Sequence, residues 1–299
     1  MKLTLDGHEI EVGNADKVYF PDEAITKGQL VEYYAKVGER MLPHIAGRPV
    51  SMRRFPDGIG EEGFFQKEAP KHFPDWIERV RVRKKDGTVN HVVIRRVADL
   101  VYLAEQGCIE PHVWLSTSEH LDRPDRMVID LDPSSDDTGL VRHAARTVHD
   151  VLDEVGVVPF VMTSGSKGFH VWVPLKATDA FDVVGRFARD VAEVVVARAP
   201  DAFTVERRKD DRGGRVLIDT VANGYGATSI PPYAVRARPG APVATPLDWD
   251  ELARTEPRSY TIGNVLQRLG QKDDPFASLL RHVRSLDGPR ERLEALVAQ

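Results

Sequence analysis

Met127-Val128-Ile129-Asp130-Leu131-Asp132-Pro133 sets two aspartates among residues that otherwise suit a buried strand. Side chains alternate across a strand, which puts Asp130 and Asp132 on one face. Two carboxylates there repel each other and are costly to bury, unless a divalent cation lies between them and reverses the local field. Magnesium or manganese fits that reading. The alternative is that the strand ends at Asp130 and both acids cap a turn before Pro133, because D-x-D is short and common. A third carboxylate and a phosphate cradle are the features that decide between the two.

Outward from this stretch, Thr138 to Val155 is amphipathic and Gly156 ends it, after which Val157 to Thr163 reads as a strand. Strand, helix, strand in succession implies a crossover unit. The second strand runs into TSGSKGFHVWVPL. Gly165 and Gly168 allow backbone amides to point inward as an anion nest, while Ser164, Ser166 and Lys167 add donors for a triphosphate. The spacing is not that of a Walker loop, and a serine-rich hairpin turn with a solvated lysine stays open. His170 alternates with Phe169 and Val171 and can face the same ligand. A second amphipathic helix spans about 180 to 199. FTVERRKDDRGGRVLIDT then carries Arg207, Arg208, Lys209, Arg212 and Arg215, and Asp219 ends an apolar strand much as Asp130 does. Asp219 is the third carboxylate. The last segment, with ASLLRHVRSL and RERLEALVAQ, reads as one or two amphipathic helices that close the fold.

Composition restricts the partners. The 299 residues are 41% hydrophobic and 29% charged, as in an ordinary soluble globular protein with ample core. A net charge of −5 excludes a generally basic surface, so any grip on phosphates is local. Cys108 stands alone, which excludes an internal disulfide and a cysteine-rich zinc site and makes it a small core residue. MKLTLDGHEIEV alternates like a strand and lacks the apolar run of a signal peptide. No stretch approaches the ~18 apolar residues of a membrane span. A cytoplasmic protein with no membrane partner is expected.

Toward the N-terminus, T-K-G-Q at Thr26 matches a capping box with Gln29, and Leu30, Tyr33, Tyr34, Val37 and Met41 follow at helical spacing. Lys17 and Lys27 flank the Pro21-Asp22 turn, as solvated lysines or as an anion site. VSMRRFPDG reads as a short strand carrying Arg53 and Arg54. In GFFQKEAPKHF, Phe64 and Phe65 stand beside Lys67, Lys71 and His72, an interleaving that suits base stacking and phosphate contact; the alternative places both rings in the core. RVRVRKKDGTVNHVVI reads as a hairpin around Asp86-Gly87, which accounts for its ligase-like K-x-D-G as a turn. GCIEPHVWLST supplies His112 and Trp114 on one strand face.

Three acids on neighbouring strands, a phosphate nest and basic patches together describe two-metal phosphoryl transfer. DLDP, SGSKGFH and VLID, in that order and spacing, resemble the three motifs of the archaeo-eukaryotic primase superfamily, and most closely the polymerase domain of bacterial end-joining ligases of the ligase D type. TKGQLVEYY, RRFPDG, GFFQKEAP, IEPHVWLS and PYAVRAR extend the resemblance over nearly the whole chain.

The resemblance implies Asp130, Asp132 and Asp219 as ligands of two manganese or magnesium ions, and His112 beside them as a catalytic-site residue. It implies Ser164, Ser166, Lys167, His170, Arg212 and Arg236 as nucleotide contacts. Lys17 and Lys27 match lysines that hold a 5′-phosphate at a gap or break, and Phe64 and Phe65 match rings that stack on the template, with Arg53 and Lys67 beside them on the DNA side. Ala222 stands where relatives often carry a longer polar residue, so a nucleotide contact is either lost or replaced by Asn223.

The fold implied is an α/β primase-type fold, a central mixed sheet flanked by helices with an N-terminal α/β extension. It is divided as a DNA-positioning subdomain (1–119), a catalytic core (120–240) and a C-terminal helical segment (241–299). The activity implied is templated addition of ribo- or deoxyribonucleotides to a primer 3′-hydroxyl at gaps or DNA ends. A separate DNA ligase and an end-binding repair protein are the expected partners. The competing expectations are a non-catalytic DNA-end binding module and a metal-dependent nuclease.

Overall fold

The strand around Asp130 runs from Arg126 through Asp132 in the computed structural model, which describes residues 1–135 and 137–297. Asp132 therefore lies within the strand, and the turn that would have capped both acids does not form. The chain divides into two units, one of residues 1–121, 228–244 and 260–272, the other of residues 122–227, 245–259 and those from 273 onward. The mixed α/β class expected from the sequence is the class that forms.

The first unit opens with a hairpin of β1 (Lys2–Leu5) and β2 (His8–Glu11), so the alternating start is two short strands and not one. A small ladder, β3 (Val18–Phe20) with β4 (Ile25–Thr26), leads into α1 (Lys27–Ile45). The predicted capping box is present. Thr26 accepts from the Gln29 amide at 3.3 Å, and the Gln29 side chain accepts from Thr26 N at 2.8 Å. Leu30, Tyr34, Val37 and Met41 are fully buried along the apolar stripe.

A five-stranded sheet follows, from β5 (Arg48–Arg54), β6 (Phe64–Gln66), β7 (Arg79–Lys84), β8 (Gly87–Ile94) and, after α2 (Val97–Glu105), β9 (Cys108–Val113). β5 is its hub, pairing antiparallel with β6, β8 and β9. The β7–β8 register pairs Lys84 with Gly87, so the two-residue loop is Lys85-Asp86, one residue earlier than expected. Gly87, at φ 119°, opens the returning strand, a conformation that only glycine adopts readily.

The second unit holds a six-stranded sheet ordered β13-β14-β10-β12-β11-β15. Its members are β10 (Arg126–Asp132), β11 (Phe160–Thr163), β12 (Phe169–Pro174), β13 (Phe203–Thr204), β14 (Val216–Asp219) and β15 (Pro246–Leu247). β12 is antiparallel to both β10 and β11, so the predicted crossover unit exists, with β12 inserted between its parallel strands. α3 (Thr138–Glu154), capped by the Asp137 carboxylate, makes the crossover, and α4 (Phe181–Arg198) packs on α3 and against β10.

α5 (Val265–Gln271) belongs to the first unit and α6 (Asp287–Val297) to the second. Of the one or two helices expected in the tail, one forms, and ASLLRHVRSL yields a 3₁₀ turn at Leu279–His282. Arg284 is drawn into a bridge with Leu175, and its carbonyl accepts from Lys176 N at 2.8 Å, which takes the backbone out of helical geometry. RERLEALVAQ does form α6, although its last two residues lie outside the described residues. Cys108 is buried in the core, where burial pushes its thiol far up. No helix among the described residues is long and apolar enough to cross a membrane.

Candidate active site

Antiparallel pairing sets the acid row. Asp130 is the direct partner of Asp219 on β14 and of His170 on β12, so one level of three adjacent strands reads Asp219, Asp130, His170. Side chains directly opposite one another share a face, and Asp132 joins that face two residues along β10. Ile129 and Leu131 are fully buried, whereas the three aspartates are partly exposed. His170 Nε2 lies 3.3 Å from Asp130 Oδ1, and its other ring nitrogen is buried with no hydrogen-bond partner among the described residues.

Burial pushes the Asp132 carboxyl up to about 6, and the charge of Asp130 adds to the rise. His170 and Arg212 oppose it, which places both beside the acids. Among the described residues no three His, Cys, Asp or Glu side chains converge as a ready-made metal cage. The donor set nevertheless fits a hard divalent cation. It consists of carboxylate oxygens crowded on one sheet face, one of them held uncomfortably near neutrality, and a cation relieves that repulsion.

The loop between β11 and β12 differs from the open nest that was expected. Ser164 is buried, and its hydroxyl accepts from the amides of Ser166 at 3.1 Å and Gly168 at 3.2 Å, so two of the inward amides are engaged within the loop. A Cβ on Gly168 would lie 1.8 Å from Leu131 O, so glycine is what lets the loop close on the acid strand. Lys167 is exposed. Beside it lies a cavity of about 360 Å³ lined by Ser135, Thr138, Ser166, Lys167 and Arg258, among others. A larger cavity of about 530 Å³ lies between α4 and α6, and neither cavity is lined by Asp130, Asp132 or Asp219.

Arg212 is pinned by its own loop, donating to the carbonyls of Glu206 at 3.1 Å and Arg207 at 2.8 Å. Asn223 is a correction. It is fully buried, its amide oxygen accepts from Val128 N at 2.9 Å, and its Nδ2 donates to Val128 O at 2.7 Å and Thr220 O at 2.9 Å. That side chain completes the backbone of β10 and leaves no group for a nucleotide.

In the first unit, Phe64 and Phe65 are both exposed, at 47% and 56%, so the core alternative fails for each. Arg54 lies over Phe64 and Arg53 over Phe65, both at 5.7 Å from the ring centroid. Lys67 is exposed just beyond β6. His112 meets Phe65 edgewise, with centroids 5.1 Å apart, and contacts Glu110, as Arg53 and Arg236 also do. Glu110 was missed in the sequence. Its signal was alternation, since Glu110 and His112 share one face of an otherwise apolar strand.

The turn does bring Lys17 and Lys27 together, with Lys27 N donating to Lys17 O at 2.8 Å. Their side chains differ. Lys17 is half-buried and pairs with Asp57, whereas Lys27 is 8% exposed and held by Glu105 at 3.0 Å and Gly13 O at 2.8 Å.

Residues 26–276 match the model of the LigD primase-polymerase domain family. The chain is 34% identical over 273 residues to the multifunctional non-homologous end joining protein LigD of Mycolicibacterium smegmatis, covering 90% of this chain and 36% of that protein. It is 31% identical to the bifunctional LigD of Bacillus subtilis, covering 92% of this chain and 44% of the relative. The polymerase domain of Mycobacterium tuberculosis ligase D, solved in complex with DNA, superposes with a TM-score of 0.85 at 32% identity, covering 90% of this chain and 97% of that one. The fold is that of a primase-polymerase domain. The chain belongs to the LigD primase-polymerase domain family. It spans 36% and 44% of the length of these two LigD proteins.

Proposed function

We propose that this chain is a template-dependent nucleotidyltransferase of DNA end joining, adding ribo- or deoxyribonucleotides to a primer 3′-hydroxyl at short gaps or ends. The observation that carries the reading is the row of Asp219, Asp130 and His170 across three strands, with Asp132 on the same face. Asp130, Asp132 and Asp219 hold two divalent cations, manganese or magnesium. Those ions, when bound, acidify the primer hydroxyl and offset charge on the departing pyrophosphate.

The primer 3′-oxygen bonds to the α-phosphorus of a nucleoside triphosphate as the bond to pyrophosphate breaks. Lys167 supplies an ammonium to the β- and γ-phosphates, and Ser166 and Arg212 add donors. Ser164 acts at one remove, by shaping the loop that carries Lys167. His170 steadies Asp130 and lies toward the nucleotide. His112 and Arg236 are assigned to the nucleotide on the resemblance of IEPHVWLS and PYAVRAR. Phe64, Phe65, Arg53 and Lys67 receive the template strand by stacking and charge. Lys17 takes a downstream 5′-phosphate, and Lys27 contributes from behind it. The partners are broken or gapped duplex DNA, a DNA ligase and an end-binding repair protein, met at the nucleoid in the cytoplasm.

The test is extension of a labelled primer across a short gap with a downstream 5′-phosphate, comparing both sugars with each metal. Templated addition is expected. Cutting of the DNA without addition supports a nuclease, and binding without either supports an end-binding module.

A further inference from the structure

Glu110 is fully buried on β9, directly across the ladder from Arg53 on β5. Four donors converge on its carboxylate. Ala237 N at 2.7 Å and Arg236 Nε at 3.2 Å reach Oε1, while Arg53 Nη1 at 3.0 Å and His112 Nε2 at 3.1 Å reach Oε2. Burial alone raises this carboxyl, but the His112 hydrogen bond and the Arg236 charge override it and hold the group well below the usual carboxylate range. An ionised carboxylate only accepts, so His112 carries its proton on Nε2 and keeps Nδ1 as an acceptor whenever the ring is neutral. Burial lowers the His112 pKa, with Arg236 and Arg53 pushing the same way and Glu110 pulling back.

The two donors on Oε2 share a second neighbour. Arg53 lies 5.7 Å from the Phe65 centroid and His112 5.1 Å from it, edge-on at 71°. Phe65 is 56% exposed, so little core packing fixes its orientation, and these two groups do so instead. Desolvating a carboxylate to hold Arg53 and His112 is a poor route to stability alone, which points to their orientation as what it secures.

We propose that Glu110 is a positioning residue that fixes His112 as its Nε2–H tautomer and, through Arg53 and His112 together, holds the Phe65 ring for a stacked base. What the ring and imidazole receive rests on the polymerase reading above; their dependence on Glu110 does not.

The test is Glu110→Gln in the full chain, followed by ¹⁵N NMR of His112 and by binding of gapped DNA without nucleotide. A glutamine amide at Oε2 faces His112 with a donor, so the imidazole is expected to move its proton to Nδ1 and to titrate at lower pH. Affinity for the templating strand should fall by about 5- to 150-fold, the range of one lost stack. An unchanged tautomer with unchanged DNA affinity overturns the proposal. If Glu110→Gln does not fold, His112→Ala and Phe65→Ala decide, again by binding of gapped DNA without nucleotide. The double variant should bind no more weakly than Phe65→Ala alone, and additive losses overturn the proposal. These readouts need no catalysis, so a wild-type chain that fails to extend a primer removes the polymerase reading and leaves this one standing.

Discussion

Asp130 and Asp219 are direct cross-strand partners on β10 and β14, so two acids separated by most of the second unit's sequence stand side by side on one face. Like charges so placed are unfavourable without a counter-ion. The sheet gives up stability here.

Asp132 makes that loss measurable. Its carboxyl is raised from 3.8 to about 6, by burial first and then by Asp130, so the folded state binds this proton more tightly than the unfolded chain does. In metal-free protein the penalty is absent below pH 4, grows as pH rises, and is complete above about 6. Asp132→Asn should therefore stabilise the chelated protein at pH 7 by about 1–3 kcal/mol, after allowance for partial exposure, and change little near pH 4. Thermal melts at the two pH values check this, and equal effects at both contradict it.

The two N-terminal lysines should separate. Lys17→Ala is expected to weaken binding to gapped DNA selectively when the gap bears a 5′-phosphate, with melting unchanged. Lys27→Ala leaves the mostly buried Glu105 without its cation and should cost about 2–4 kcal/mol of stability as well. Identical behaviour of the two variants in both assays argues against the distinction.

Asn223→Ala removes three hydrogen bonds to backbone and should destabilise the fold by about 2–4 kcal/mol. At a temperature where the variant stays folded, its KM for nucleotide should match the parent. A raised KM with an unchanged melt would restore Asn223 to the nucleotide site.

Much of this was legible in the sequence where local rules act alone. The Thr26 capping box, the stripe of α1, the strand through Asp130 and the turn at Gly156 each follow from spacing and one or two marker residues. What escaped depends on contacts between distant stretches. Asn223 looked like a polar residue near the acids, and only the fold shows it tied to the backbone of Val128, 95 residues earlier. Gly165 and Gly168 promised open amides, but the Ser164 hydroxyl takes two of that loop's amides. Glu110 drew no notice, because a single acid in an apolar strand gains meaning only when Arg53, His112 and Arg236 are seen around it.

The most direct measurement is single-nucleotide incorporation by Asp130→Ala and Asp219→Ala on a gapped primer with manganese, beside DNA binding by the same proteins. The account predicts that each loses at least about a thousandfold in incorporation while binding DNA within a few-fold of the parent. Incorporation near the parental rate in either variant would contradict the assignment of the acid row as the site of chemistry.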